Sequence, residues 1–144
     1  MPSAPEKLDQ IVDEFAELEP RERLELLLDF AENLPPLPAE YEAQRLAGEH
    51  RVHECQTPVF IWTDVCDGRV QLHAWIAPEA PTVKGFVGVL REAFHGATPD
   101  AVLSVEQDLL QRLGLVEALG MQRMRGLHAI LFYIREQVRK AAAR

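Results

Sequence analysis

The strongest constraint on what this chain can fold into is a change of hydrophobic period at its middle. Before Pro58 apolar residues recur at helical spacing, between Pro58 and Ile76 they crowd or alternate, and after Pro81 the helical spacing returns. Val59, Phe60, Ile61, Trp62 and Thr63 form a β-branched and aromatic run that ends at Val65. Arg69 to Ile76 then alternates, with Val70, Leu72, Ala74 and Ile76 on one side and Gln71, His73 and Trp75 on the other. Asp67-Gly68 joins the two runs as a hairpin turn, because glycine accepts a positive φ. A hairpin with helical segments on both sides in sequence predicts an α+β fold, a small antiparallel sheet packed against several helices. A short third strand is expected around Arg51 to Glu54.

The flanks divide into separate helices. Leu8, Ile11, Val12, Phe15 and Leu18 make one helical face, and Glu19-Pro20 breaks it, proline suiting the first turn of the next helix. Leu24, Leu27, Leu28 and Ala31 repeat the stripe until Leu34-Pro35-Pro36-Leu37-Pro38, where the missing amide donors stop it. Glu40 to Ala47 reads as a short helix. After the hairpin, Val83, Phe86, Val87, Leu90 and Phe94 define a helix ended by His95-Gly96. Thr98-Pro99 reads as an N-cap with proline behind it, opening short helices over Pro99 to Leu103 and Val105 to Leu113. Leu113-Gly114-Leu115 reads as a turn. The longest helix is expected from Gln122 to about Lys140, with Leu127, Ile130, Leu131, Ile134 and Val138 inward and Arg135, Arg139 and Lys140 toward its negative end.

Length and charge bound the function. The 144 residues fit a single domain, 1–144 with its core over about 7–140, and such a chain needs no metal or disulfide staple. Fifteen Lys and Arg against 23 Asp and Glu leave a net charge of −8, a field that repels phosphate backbones and argues against nucleic acid. No apolar run approaches the ~20 residues that cross a bilayer. The polar start, Met1 to Lys7, lacks the apolar segment of a secretory signal, and only Cys55 and Cys66 are present, so a cytoplasmic location is expected.

Chemistry concentrates in His50-Arg51-Val52-His53-Glu54-Cys55-Gln56-Thr57-Pro58, which leads into the first strand. A thiol on such a loop can be presented by a rigid sheet edge. The plainer reading makes Cys55 a small buried apolar residue, but the polar Glu54, Gln56 and Thr57 beside it do not look like core. Cys66 sits next to the turn with no adjacent histidine and reads as incidental. A metal reading uses His53 and Cys55, which share a side in extended chain, with His50 or His73 approaching; paired CxxC or HxxxH spacing is absent. Arg123 continues the inward stripe of the last helix, so it has to snorkel outward or meet an acceptor. Such a cation could also support a thiolate or persulfide. No GxxxxGK[ST], GxGxxG or GxSxG motif occurs.

Together these pieces resemble the SufE-like sulfur acceptors, which include the CsdE proteins. Glu54-Cys55-Gln56-Thr57-Pro58-Val59-Phe60 resembles the family's Gly-Cys-Gln-Ser-x-Val-Trp, and Asp67-Gly68 falls at its hairpin. Thr82-Val83-Lys84-Gly85 resembles Ile-Val-Lys-Gly, Leu34-Pro35-Pro36-Leu37 resembles Leu-Pro-x-Leu, and Leu113-Gly114-Leu115, Leu119 and Arg123-x-x-Gly126-Leu127 resemble the family's ending. The likeness runs from about Leu8 to Arg139. It implies a SufE/IscU-like fold and a carrier, not a free-standing enzyme. Such a carrier has no cofactor of its own and receives persulfide sulfur from a pyridoxal-phosphate cysteine desulfurase of the SufS or CsdA type. It stimulates that enzyme and passes sulfur to an iron–sulfur scaffold or another acceptor. By the same resemblance Cys55 is the acceptor and Arg123 the family's arginine. Two departures stand out: Glu54 replaces the family glycine, which removes backbone freedom and adds a charge that disfavours thiolate. The usual acid before Val-Lys-Gly falls on Ala77, with Glu79 nearby. Two other readings remain open, a metal or cluster scaffold using His53 and Cys55, and a regulatory desulfurase partner that transfers no sulfur.

Overall fold

In a computed structural model the described residues are 4–144; Met1 to Ser3, which open the polar start, lie outside them. Helix α1, Ala4–Ala16, buries Leu8, Ile11, Val12 and Phe15, as its stripe predicts. Helix α2, Pro20–Asn33, opens on a capping box in which the Glu19 side chain accepts from the Glu22 amide and Glu22 accepts from the Glu19 amide. Of its four stripe residues only Leu27 and Ala31 are buried, and Leu28 stands 40% exposed. The reason is that α2 rests on a narrow seam, held close to a later helix by glycines.

The prolines end α2, and a 3-10 turn, Ala39–Tyr41, leads into the short α3, Glu42–Leu46. Strands β1, Val59–Cys66, and β2, Arg69–Ile76, form a two-stranded antiparallel sheet with Val59 opposite Ile76 and Cys66 opposite Arg69. Asp67 and Gly68 turn the hairpin at φ 54° and 73°, the left-handed pair that a two-residue turn requires. β2 buries Val70, Leu72, Ala74 and Ile76 in strict alternation.

The expected third strand is reduced to one bridge, Arg51 opposite Phe60, flanked by Val52 N–H to Val59 O at 2.8 Å and Ile61 N–H to His50 O at 3.0 Å. It cannot extend, because the chain turns away at His53. β1 is buried on both faces over Val59 to Trp62, since the α3 segment lies over the outer side. Tyr41 meets Trp62 and His73 at 5.3 Å between ring centres, Trp62 Nε1 donates to Gln44 at 2.6 Å, and the Arg45 guanidinium lies 4.3 Å from the Trp75 ring.

Helix α4, Pro81–Phe94, runs behind the sheet with Phe86, Val87, Leu90 and Phe94 buried. Thr98 caps α5, Pro99–Leu103, its hydroxyl accepting from the Ala101 amide at 3.3 Å. The next helix is shorter than its stripe predicts. The Ser104 hydroxyl bonds back to Ala101 O at 2.7 Å, and α6 covers only Leu109–Arg112. Gly114, at φ 70°, makes the expected turn, and a further short helix, α7, Leu115–Leu119, follows it. Helix α8, Met121–Ala142, buries Leu127, Ile130, Leu131, Ile134 and Val138 as predicted, and Met124 as well. One contiguous apolar cluster runs from Ala4 to Val138, and both the hairpin and the thiol of Cys55 belong to it.

Candidate functional site

The loop between Arg51 and Val59 is closed at its base by the hydrogen bonds to β1 and tightened by Cys55 N–H to Val52 O at 3.2 Å. Within that turn the side chains diverge. His53, Glu54 and Gln56 face solvent while Cys55 turns inward and is 6% exposed. The polar neighbours therefore mislead about Cys55, because in a tight turn adjacent side chains need not share an environment. The thiol lies on the wall of a cleft of about 710 Å³ formed by Glu54 to Thr57, by Glu79 to Val83 at the entry to α4, and by Gln122, Arg123, Arg125, Gly126 and Leu127 of α8.

Of the residues singled out in the sequence, this cleft brings together Cys55, Arg123, Glu54 and Glu79. Arg123 is exposed, not part of the core stripe; its side chain reaches across the cleft and donates from Nη1 to the Thr82 hydroxyl at 3.1 Å. At the first turn of a helix one side of the stripe is still open to water, so a cation is tolerated there. Ala77 is buried, and its amide donates to Pro58 O at 3.0 Å, tying the end of β2 to the start of β1.

Cys66, His50 and His73 do not line the cleft. Cys66 is exposed at the hairpin end, His50 stacks on Trp62, and His73 lies between Tyr41 and His95. His53 is exposed while Cys55 is buried, so the extended geometry that would aim both at one ion is absent. Among the described residues no group of three or more His, Cys, Asp or Glu is placed to hold a metal.

Burial pushes the Cys55 thiol above its ordinary value of 9.0, against the opposing pull of the Thr57 backbone and the Arg51 charge. Glu54 is not among the causes of that shift. Its carboxylate instead acts with burial to raise the Tyr133 phenol on α8. Nor does Glu54 have a positive φ, so this loop makes no demand for the glycine it replaces.

Arg51, Thr57 and Thr82 were named in the sequence only as members of longer segments and were given no role, because they are ordinary polar residues until the loop closes. Gly126 was visible within Arg123-x-x-Gly126-Leu127, but its purpose was not. A Cβ at that position would sit 3.6 Å from the Cys55 sulfur. A glycine well inside a long helix is the signal that could have marked it.

Comparison with known proteins agrees with this architecture. A family model described as "SufE: Fe-S metabolism associated domain" matches residues 9–138. A SufE-like protein of Mycobacterium tuberculosis is 36% identical over 140 residues, covering 96% of each chain. One from Synechocystis is 30% identical, covering 88% of this chain and 76% of its own length. A chloroplastic quinolinate synthase of Nicotiana tabacum is 28% identical over 99% of this chain, which spans only 20% of that enzyme. The solution structure of a hypothetical protein from Thermus thermophilus superposes with a TM-score of 0.82 at 41% identity, covering 96% of this chain and 97% of that one. No helix among the described residues is long and apolar enough to cross a membrane.

Proposed function

Because this chain belongs to the SufE family, whose domain is associated with Fe-S metabolism, we propose that Cys55 accepts sulfur from a cysteine desulfurase and hands it on for iron–sulfur cluster assembly. The observation that carries the reading is the buried Cys55 thiol on the wall of a cleft that a second chain can enter, with Arg123 and Thr82 beside it. The Cys55 thiolate attacks the outer sulfur of the donor's cysteine persulfide. A new sulfur–sulfur bond forms to Cys55, the donor's sulfur–sulfur bond breaks, and the donor cysteine leaves as thiolate. No net oxidation occurs. The pyridoxal phosphate belongs to the desulfurase, and this chain works in the cytoplasm.

The resting site is guarded in two ways. Burial keeps the thiol protonated, and the closed loop keeps other thiols and oxidants from it. Docking of the desulfurase draws Cys55 outward, and leaving the apolar wall lowers its pKa toward the ordinary value. Arg123 then supplies a cation over the migrating sulfur, released from Thr82 for that purpose.

The test is intact mass under non-reducing conditions after incubation with a cysteine desulfurase and L-cysteine. One added sulfur is expected on the wild type and on Cys66→Ser, and none on Cys55→Ser. Equal loss in both variants would sink the single-acceptor reading. Arg123→Ala is expected to transfer more slowly at an unchanged melting temperature, because the bond it gives up, to the Thr82 hydroxyl, is solvent-exposed. Cys55→Ser also separates the regulatory reading: a desulfurase stimulated fully by that variant would mean that this chain acts without carrying sulfur.

A further inference from the structure

We propose that a second cleft, separate from the one at Cys55, binds a free amino acid by holding its carboxylate at one end and its ammonium group at the other. This cleft has a volume of about 440 Å³, lies where α1 and α4 meet the end of α2, and shares no residue with the cleft at Cys55. Its anion-binding group is Arg91. The guanidinium is fixed in place, because Nε donates to Leu72 O at 3.0 Å, while Nη1 and Nη2 have no acceptor among the described residues and are open to water. An arginine held by one nitrogen, with the other two unpaired, presents the flat fork that a carboxylate fills with two parallel hydrogen bonds. Lys7 lines the same cleft and stands at the same end of it, since Lys7 and Arg91 both push the His95 pKa down. That end is a region of positive potential.

The other end is acidic. Lys7 and Glu14 lie on one face of α1, two turns and about 10 Å apart along its axis. Glu14 and Glu92 both line the cleft, and neither is in an ion pair among the described residues. Helix α2 ends there at Asn33 with no basic residue in its last turn, so the negative end of its dipole is uncompensated as well. A dianion such as phosphate is repelled by the two carboxylates, and an amine alone is repelled by the two cations. A zwitterion suits both ends. Ile11 and Leu34, 6% and 8% exposed, line the cleft with Phe30 and supply an apolar wall for an aliphatic side chain.

The experiment titrates the full chain with L-leucine and with two analogues that each lack one charge, isocaproate and isoamylamine. The Arg91 Nε–H signal is followed in proton–nitrogen correlation spectra. Leucine is expected to saturate with a Kd of about 1 mM. Each analogue should bind about tenfold more weakly, the cost of one charge-assisted hydrogen-bonded contact. Lys7→Gln and Glu14→Gln should each weaken leucine about threefold at an unchanged melting temperature, as the loss of one ion pair near the surface does. Arg91→Lys keeps the charge but not the fork and should weaken leucine about tenfold. Because that variant also gives up the bond to Leu72 O, the Lys7 and Glu14 variants keep the test independent of any loss of stability. An analogue that binds as tightly as leucine would overturn the two-ended site. A signal unmoved by leucine at about twenty times the expected Kd would overturn the cleft as a binding site altogether.

Discussion

Cys55 is held in its protonated form by the same contacts that hide it. The fold disfavours the thiolate, so the native pKa lies above the ordinary 9.0. Stability from this group is full below the unfolded value and is lost as pH rises through the native one. The alkylation rate of Cys55 against pH is accordingly expected to have its midpoint above 9.0 in the native protein and to fall toward it once the chain is unfolded. Arg51→Gln removes a charge that opposes the shift, and the native midpoint should move higher still; a midpoint that stays put would remove Arg51 from the site. The motif around Cys55 singles it out as the proposed acceptor, whereas its burial was not legible in the sequence. Whether a thiol in a turn faces in or out depends on the hydrogen bond from Cys55 N–H to Val52 O, a contact no pattern of polarity records. Arg123 was read as inward for the converse reason, since periodicity does not say where a helix emerges from its packing.

At the scale of elements, two junctions set how α4 is seated between α2 and the hairpin. The first is the seam of α2 on α4. A Cβ at Gly85 would come within 2.2 Å of Leu27 O, and one at Gly88 within 2.5 Å of Phe30 O, both backbone atoms that cannot step aside. Gly85→Ala is expected to destabilise the protein by about 1–3 kcal/mol or more through overpacking, measurable as a lower denaturant midpoint; a neutral effect would mean the helices are not seated this closely.

The second junction is the free edge of β2, covered from the end of α4. Leu72 N–H donates to His95 Nδ1 at 3.1 Å, and Arg91 Nε donates to Leu72 O at 3.0 Å. Burial, then Arg91, then His73 hold the His95 pKa below its ordinary 6.5, with Lys7 adding to the depression. His73 is depressed too, by burial and then Arg91, against Glu40. Groups with depressed values contribute stability above the unfolded value and lose it as pH falls through the native one. Melting temperature should therefore drop as pH falls below about 6.5, and less so in His95→Gln; an identical pH dependence in the two would clear His95. The hairpin and its register were readable because alternation and Asp67-Gly68 are local signals. The Leu72–His95 contact and the late start of α6 join residues distant in sequence or compete with the helix locally, and neither leaves a periodic trace.

For the whole molecule, the apolar cluster reaching from Ala4 to Val138 predicts one cooperative unfolding unit. Trp62 and Trp75 lie on the two strands while most other elements are helical, so indole fluorescence reports the sheet and far-ultraviolet circular dichroism the helices. Their denaturation curves should coincide. Phe15→Ala, which empties a site of 0% exposure in α1, should lower both midpoints together by a cost of about 3–5 kcal/mol. Separate curves would divide the chain. The carrier reading adds a requirement that such cooperativity alone would violate: Cys55 has to become reachable without unfolding the rest. The Arg51–Val59 loop is pinned by few backbone hydrogen bonds and bears exposed His53, Glu54 and Gln56, which places it at the low-stability end of local opening. The alkylation rate of Cys55 is thus expected to stay flat at low denaturant and to rise only near the global transition, because a local opening exposes little surface for denaturant to act on. A rate that climbs from the first addition, with the full slope of unfolding, would mean that the thiol is released only by global unfolding. A partner docking at the cleft could not then draw it out of the folded protein.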